Sequence, residues 1–150
     1  MDIVLLNNNN RYFKEVINIY YKWWGSKKNT SYEKILSTYS NFSSLPHIYA
    51  LIINDTLIGT YCLSPKDDID NEDYTPYLAN LYIKEKYRNQ GYSKILINDA
   101  KIKAQALGYD TLYLHSHLNN YYEKYSFTYL KEINTKYGPK RIYKTKLKKN

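Results

Sequence analysis

The sequence predicts an α/β (α+β) fold with a mixed central sheet flanked by helices. Its 150 residues suit one domain, since a chain of this length buries about two-thirds of its unfolded surface in a single core. Apolar residues recur at helical spacing in the opening segments, and β-branched runs alternate with a helix in the second half. Strand-helix-strand alternation requires a right-handed parallel crossover. We therefore expect one domain over residues 1–150 with the element order ααβββαβαββ.

Two amphipathic helices are predicted at the start of the chain. In residues 11–24 the apolar side chains recur at helical spacing, and Gly25 ends the run. Thr30 and Glu33 have the spacing of a capping box, and Pro46 closes the second segment. The apolar face of the first helix is expected to contain Val16, Ile19, Tyr20 and Trp23.

The period then changes to that of strands. Residues 47–53 and 56–63 are rich in β-branched and aromatic side chains, and Asn54-Asp55 between them fits a hairpin turn. Residues 66–73 cluster acidic side chains without an apolar period, which indicates an exposed loop. Further strands are expected over 75–83, 111–115, 127–132 and 141–147. The expected helices are one with Leu96, Ala100, Ala104 and Leu107 on one face and Gly108 as its stop, and a short one over 118–125.

Composition narrows the classes of partner. The formal net charge of +8 favours polyanions such as phosphates, nucleic acid or acidic lipid. The single cysteine, Cys62, excludes an internal disulfide framework and fits a reducing compartment. No run approaches the ~20 apolar residues that a bilayer requires, and the first residues lack the pattern of a signal peptide. We expect a soluble cytoplasmic protein with no membrane partner and no metal site.

The most informative segment is YRNQGYSKIL, which joins a predicted buried strand to an amphipathic helix. The first N–H groups of a helix lack intrahelical partners, and the helix dipole adds partial positive charge there, so a loop over residues 88–93 can hold a pyrophosphate. Gly91 allows close backbone approach. Arg88 and Lys94 would supply full charges, and Ser93 is small and offers a hydroxyl.

In this context TPYLANLYIKEKYRNQGYSKIL resembles the central acetyl-coenzyme A motif of the GNAT acetyltransferases. That motif reads Arg or Gln, two residues, Gly, one residue, then Gly or Ala. Arg88 and Gly91 match it, and Ser93 stands where the third anchor is usually smaller. The resemblance extends over roughly residues 48–147.

A second segment, NNYYEKYSF, resembles the second cofactor motif of the same superfamily, which usually reads Leu-Tyr-x-Lys-x-Gly-Phe. Tyr121 replaces the usual Leu, and Ser126 replaces the usual Gly. The matching residues are Tyr122, Glu123, Lys124 and Phe127.

The resemblance implies a GNAT-type, mostly antiparallel mixed sheet and acetyl-CoA as cofactor, with coenzyme A as product. Backbone N–H groups near Tyr82 and Ile83 would face the thioester and the pantetheine arm. The implied cofactor-binding residues are Leu81, Tyr82, Ile83, Arg88, Asn89, Gln90, Gly91, Tyr92, Ser93, Lys94 and Asn119.

The implied reaction is transfer of an acetyl group to a primary amine by direct attack on the thioester. Tyr122 matches the tyrosine that often protonates coenzyme A in this superfamily, so it is the predicted general acid. The base is left open, because the strand over residues 75–83 carries no carboxylate. His115 and His117 are candidates, acting directly or through water, although each is more often simply a polar residue at a strand end.

The acceptor is expected to be a small-molecule or peptide amine. The acidic residues of the 66–73 loop, Glu72 and Asp73 among them, suggest a cationic amine such as a polyamine or an aminoglycoside. In a GNAT domain the opening helices would line the acceptor pocket, so Trp23, Trp24 and Tyr39 are candidates for acceptor contact, against the alternative of core packing. The hypothesis of a cationic acceptor rests mainly on Asp67, Asp68 and Asp70.

Two alternatives remain at this stage. One is a GNAT-like domain that binds the cofactor without catalysis, suggested by the absence of the strand glutamate that some relatives carry and by the departures from the two motifs. The other is a basic nucleic-acid-binding module, suggested by the net charge and by the lysine-rich segment over residues 140–149, although strand alternation explains that segment as a solvated basic face. The oligomeric state is left as monomer or homodimer.

Overall fold

The computed structural model describes residues 1–7, 9–24, 44–65, 73–135 and 138–148. Within these ranges the chain forms seven strands and two α-helices. They are β1 (Asp2–Leu5), α1 (Phe13–Trp24), β2 (His47–Ile53), β3 (Thr56–Ser64), β4 (Tyr77–Ile83), α2 (Tyr92–Ala106), β5 (Thr111–Ser116), β6 (Thr128–Thr135) and β7 (Gly138–Lys146). Short 3-10 helices over Glu85–Tyr87 and Tyr122–Tyr125 follow β4 and β5.

The strands form one sheet in the order β1-β2-β3-β4-β5-β7-β6. β4 and β5 run parallel, with Tyr77 opposite Tyr113, whereas β1/β2, β5/β7 and β6/β7 are antiparallel. The parallel pair is the crossover through α2 that the alternation of elements predicts. The α/β class with a mixed, mostly antiparallel sheet is confirmed.

Backbone contacts divide the chain into two compact units. The first unit contains residues 1–62 and 80–96, and the second contains residues 63–79 and 97–150. β4 and α2 each contribute residues to both units.

In the first unit α1 buries one face, formed by Phe13, Val16, Ile17 and Tyr20. Their i, i+3, i+4, i+7 spacing is that of a core-facing stripe. The expectation that Trp23 belongs to this stripe is wrong: its side chain is 53% exposed. The spacing continues to position 24 instead, where the Trp24 ring packs edge-on against Tyr20 with 5.7 Å between centroids.

Gly59 of β3 is required by close packing against the end of β4. A Cβ atom at this position would lie 2.7 Å from the Tyr82 carbonyl oxygen and 2.7 Å from Ile83 Cδ1. Real Cβ atoms do not tolerate such contacts, so any larger residue would displace the last residues of β4. Gly59 therefore determines how closely β3 approaches the strand that precedes the 88–91 loop.

In the second unit α2 ends as predicted. Gly108 has φ +96, and the N–H of Tyr109 donates to the Ala104 carbonyl at 3.1 Å, which is the bond expected of a Schellman motif. Leu107 follows the last helical residue and is 46% exposed, so the expectation that it lies on the buried face is wrong. The core of this unit contains Ala100, Ala104, Leu112, Leu114, Phe127, Ile142 and Tyr143.

Two local expectations have clear outcomes, and one strand was not expected. The hairpin turn at Asn54-Asp55 is confirmed, since both residues have positive φ of 49° and 60°. β1 was not predicted, because four residues carry little periodicity and their pairing with β2 is a contact distant in sequence. The predicted helix over 118–125 is shorter, with 3-10 geometry over Tyr122–Tyr125. The predicted second opening helix lies outside the described residues.

Candidate active site

β4 is distorted at its middle residue, Asn80, which has φ 52. A non-glycine residue in the left-handed region interrupts a strand's regular alternation and marks a locally constrained backbone. After it, Leu81 and Tyr82 are half-buried and Ile83 is buried. Tyr82 and Ile83, whose amides are expected to face a thioester, and Leu81, a predicted cofactor-binding residue, therefore follow an irregular point of the strand.

The 88–91 loop leads from β4 into α2 with a strongly turned backbone. Asn89 has φ 64 and Gly91 has φ 85, and a Cβ atom at Gly91 would meet no heavy atom within 4 Å. Glycine is thus needed here for conformation rather than for space. Within the ranges described, the N–H groups of residues 89–94 have no acceptor in the protein.

This run of amides fits an anionic group. It lies at the N-terminus of a 15-residue helix, where unpaired N–H groups and the helix dipole favour negative charge. Asn89, Gln90, Gly91 and Lys94 are exposed, while Tyr92 and Ser93 are half-buried. The segment predicted to hold a pyrophosphate therefore has its donors free and its backbone accessible.

The side chain of Arg88 has a structural contact that the sequence did not indicate. Its Nε donates to the Ile83 carbonyl oxygen at 2.8 Å, and its Cζ lies 5.3 Å from the Tyr82 ring centroid. Arg88 thereby ties the loop to the last residues of β4. Its remaining guanidinium N–H groups are left for a ligand, because the residue is exposed.

Trp23, Trp24 and Tyr82 form an aromatic surface in the same unit. The Tyr82 centroid lies 5.9 Å from that of Trp23 and 6.4 Å from that of Trp24. Trp24 is 46% exposed. The alternative that the two tryptophans only pack in the core is therefore wrong, and Tyr39 lies outside the described residues.

In the second unit, residues 122–127 form a tyrosine turn. Ser126 has φ 70, and the N–H of Phe127 donates to the Tyr122 carbonyl at 3.3 Å. Phe127 is buried, and its ring lies edge-on to that of Tyr122, with 6.1 Å between centroids. The turn therefore fixes the Tyr122 backbone and packs its ring.

Burial raises the pKa of Tyr122 to about 12, and the neighbouring Tyr121 and Tyr125 add smaller contributions in the same direction. The hydroxyl consequently stays protonated at neutral pH. In the described part of the chain no side chain or backbone group hydrogen-bonds to this hydroxyl. The Tyr122 hydroxyl therefore keeps its proton at neutral pH and makes no hydrogen bond to the described residues.

Two charged side chains hold the tyrosine turn at its ends. Lys101 of α2 donates from Nζ to the Tyr125 carbonyl at 2.5 Å and lies 5.3 Å from the Phe127 ring centroid. At the other end the Asn120 N–H donates to Glu123 Oε2 at 3.1 Å. Burial, and then the charge of Lys148, lower the pKa of Lys101. Sequence reasoning missed Lys101, because its partner is distant along the chain.

A family model described as Acetyltransferase (GNAT) family matches residues 13–127, which is most of the chain. The chain belongs to the GNAT acetyltransferase family. It is therefore an enzyme of the acyltransferase class, as the loop and the tyrosine motif predicted. A search of curated protein sequences gives no match.

Solved structures share the GNAT fold at low sequence identity. A probable acetyltransferase from Staphylococcus epidermidis is 19% identical with a TM-score of 0.73, covering 98% of this chain and 99% of the other. An aminoglycoside 6'-N-acetyltransferase from Enterococcus faecium is 16% identical with a TM-score of 0.71, covering 100% and 99%. A GNAT acetyltransferase from Elizabethkingia anophelis, with acetyl-CoA bound, is 19% identical with a TM-score of 0.68, covering 97% of each chain.

The remaining predicted site residues of this GNAT chain lie apart from these clusters in sequence. His115 is the penultimate residue of β5 and is half-buried, with its ring centroid 6.3 Å from that of Tyr77, whereas His117 is exposed. Asn119 and Asp73 are exposed. The other acidic candidates, Asp67, Asp68, Asp70 and Glu72, lie outside the described residues.

Neither a metal centre nor a membrane span is found in the described ranges. They contain no group of three or more His, Cys, Asp or Glu side chains arranged to hold a metal ion. They also contain no helix that is both long and apolar enough to cross a bilayer.

Proposed function

We propose that this GNAT chain is an acetyl-CoA-dependent N-acetyltransferase acting on a primary amine, as one catalytic domain over residues 1–150. The observation that carries the proposal is the run of accessible, acceptor-free amides over residues 89–94 at the start of α2. The Elizabethkingia anophelis neighbour contains acetyl-CoA, which supports the same ligand here. Cys62 is the one cysteine of the sequence and is buried, so the chain offers it no disulfide partner, and we place the protein in the reducing cytoplasm.

The residues around the 88–91 loop fit a coenzyme A diphosphate. The amides of residues 89–94 would donate to its oxygens, with Arg88 and Lys94 as nearby cations. Gly91 leaves the approach open, because no Cβ lies there. We assign the complete cofactor site to Leu81, Tyr82, Ile83, Arg88, Asn89, Gln90, Gly91, Tyr92, Ser93, Lys94 and Asn119.

The protonated hydroxyl of Tyr122 supports this residue as the general acid. Acetyl-CoA supplies an activated acetyl group as its thioester. Tyr122 holds a proton on its hydroxyl at neutral pH and would deliver it to the departing sulfur, while β4 amides near Tyr82 and Ile83 would donate to the carbonyl oxygen.

The acceptor amine must also lose a proton before it can attack the thioester. An alkyl amine with a pKa near 10.4 is only about one part in 2500 neutral at pH 7, a deficit of ~4.6 kcal/mol. His115 and His117 remain alternative bases, with a water relay as the third route. We therefore propose Tyr122 as the acid and leave the base unassigned.

We propose a small-molecule amine as acceptor and a monomer or homodimer as the working form. The Enterococcus faecium neighbour is an aminoglycoside 6'-N-acetyltransferase, which supports a small amine over a protein substrate. We do not propose nucleic acid as the partner. The net charge favours anions in general, and the accessible amides of residues 89–94 already offer a site for a small anion.

Thermal unfolding with and without acetyl-CoA tests the proposal directly. A ligand at a hundredfold excess over Kd stabilises by about 2.7 kcal/mol, so Tm should rise by about 5–10 °C. Free thiol should then appear on addition of a primary amine. Stabilisation without thiol release across an amine panel would favour a non-catalytic cofactor-binding domain. No stabilisation, with nucleic-acid binding that falls steeply with salt, would favour the basic binding module.

A further inference from the structure

The proposed function assigns a cofactor site and a general acid but no residues that bind the acceptor. The aromatic surface of Trp23, Trp24 and Tyr82 is a candidate for that role. Two adjacent tryptophans at the end of α1 are about half exposed, at 53% and 46%. Tryptophan is usually highly buried, and grouped exposed aromatic rings mark binding surfaces more often than structural ones. The third ring, Tyr82, joins this surface to β4.

The aromatic surface is continuous with the proposed acetyl-transfer site within the first unit. Tyr82 and its neighbour Ile83 are the β4 residues whose amides are proposed to face the thioester. The Arg88 guanidinium lies over the Tyr82 ring and also donates to the Ile83 carbonyl. An acceptor whose body contacts Tyr82 would therefore have its amine near the end of β4.

The charges around these rings disfavour a polycation. Lys22 Nζ lies 5.4 Å from the Trp23 ring centroid, and Arg88 lies over Tyr82. The Lys22 ammonium and the Arg88 guanidinium therefore already lie over the Trp23 and Tyr82 rings. A cationic ligand would otherwise bind at these positions. The carboxylate of Glu15, on the same helix α1, is paired with Lys84. A ligand carrying several positive charges would be repelled by these cations.

We propose that the aromatic surface binds the acceptor by stacking, and that the acceptor is an arylalkylamine: a planar, uncharged ring joined by a short chain to one primary amine. This inference rests on the proposed function and narrows its substrate class. Ring stacking supplies affinity without requiring a second charge on the ligand. It replaces the polycation hypothesis, whose acidic residues over 66–72 lie outside the described ranges.

Intrinsic fluorescence gives a direct readout of the surface. Trp23 and Trp24 are the two tryptophans of the whole sequence, so tryptophan emission reports this surface alone. With coenzyme A present, 2-phenylethylamine should change the emission saturably, and spermidine should not. This readout does not depend on turnover.

Steady-state kinetics provide a second test of the acceptor assignment. Trp23→Ala should raise KM for 2-phenylethylamine about tenfold, and KM for spermidine by less than about twofold, with coenzyme A affinity unchanged. Trp23→Phe, which keeps a ring, should recover most of the loss. The matched control is Ile102→Ala, another exposed apolar side chain at 63% exposure but in the second unit, which should change neither KM.

The outcomes separate this inference from the proposed function. If thiol release is retained but both amines respond equally to Trp23→Ala, or 2-phenylethylamine leaves the emission unchanged, the arylalkylamine assignment is overturned and the proposed function stands. If acetyl-CoA neither stabilises the protein nor releases thiol with any amine, both are overturned. An emission that varies with protein concentration, together with sedimentation as a dimer, would assign the surface to a second copy and also overturn the inference.

Discussion

The 88–91 loop and the tyrosine turn are built in opposite ways. The loop leaves the amides of residues 89–94 without acceptors in the described chain, whereas the turn is fixed at both ends by Lys101 and Glu123. A loop that binds an anion needs vacant donors, and the ligand itself completes its hydrogen bonds. A proton donor needs a fixed side chain before the ligand arrives. The difference predicts that substitutions in the loop affect binding and substitutions in the turn affect turnover.

The largest expected effect follows from removing the Tyr122 hydroxyl. A general acid typically contributes 10²–10⁴-fold to rate, so Tyr122→Phe should lower kcat by about a hundredfold. The ring and its packing on Phe127 remain, so coenzyme A affinity should change by less than about twofold. Tyr125→Phe, in the same 3-10 helix, is the matched control and should retain turnover. An unchanged kcat in Tyr122→Phe would remove Tyr122 from the mechanism.

The raised pKa of Tyr122 also predicts how stability depends on pH. Its folded-state pKa of about 12 lies above the usual 10.0, so the folded state holds this proton more tightly than the unfolded state does. The contribution is complete below about pH 10 and is lost as pH rises to about 12, at most ~2–3 kcal/mol. Urea unfolding at pH 9 and pH 11 should show a smaller drop in Tyr122→Phe than in the unmodified chain. Equal drops would mean that other tyrosines carry the effect.

Gly91 and Gly108 allow the loop to be tested apart from backbone strain. Both have positive φ, 85° and 96°, and a Cβ atom added at either position would meet no heavy atom within 4 Å. Valine at either position should therefore destabilise by a similar ~1–2 kcal/mol through conformation alone. Only Gly91→Val should also weaken coenzyme A binding, by about tenfold or more. Calorimetric titration of both variants measures this, and an equal loss in Gly108→Val would argue against the loop as the diphosphate site.

The sequence predicted features whose cause is local. The helical period of α1 and α2, the Asn54-Asp55 turn and the Gly108 stop each depend on residues within a few positions, and all are present. The 88–91 loop was identified for the same reason, because the segment proposed to bind the diphosphate is one short stretch between a strand and a helix.

The features that sequence reasoning missed depend on distant partners. β1 is a strand because it pairs with β2, with Asp2 opposite Ile52. Lys101 donates a hydrogen bond to the Tyr125 carbonyl, which is distant in the sequence. The exposure of Trp23 depends on which face α1 buries. Apolar spacing alone allowed two adjacent choices for that face, and tertiary packing selected the one that begins at Phe13.

Lys101 should have a moderate effect through the tyrosine turn. Lys101→Met keeps the packing on Phe127 but removes the hydrogen bond to the Tyr125 carbonyl, so stability should fall by about 1 kcal/mol. Lower kcat with unchanged coenzyme A affinity is expected, because Tyr122 would be held less firmly. Lys101→Arg retains a donor and should recover most of the turnover. A stability loss with kcat unchanged would make Lys101 a structural residue only.

The smallest effects come from the two serines that depart from the family motifs, Ser126 at a glycine position and Ser93 at a position that is usually glycine or alanine. Ser126 has φ 70, a conformation that costs an L-residue roughly 1–2 kcal/mol, whereas Ser93 is an ordinary residue of α2. Ser126→Gly should therefore stabilise the chain by up to ~1 kcal/mol after the entropic cost of glycine is subtracted. Ser93→Gly should instead destabilise by about 0.5 kcal/mol, because glycine weakens a helix. Chemical unfolding of both variants compares the signs directly. The same sign for both would mean that motif position, rather than backbone geometry, decides the preference for glycine.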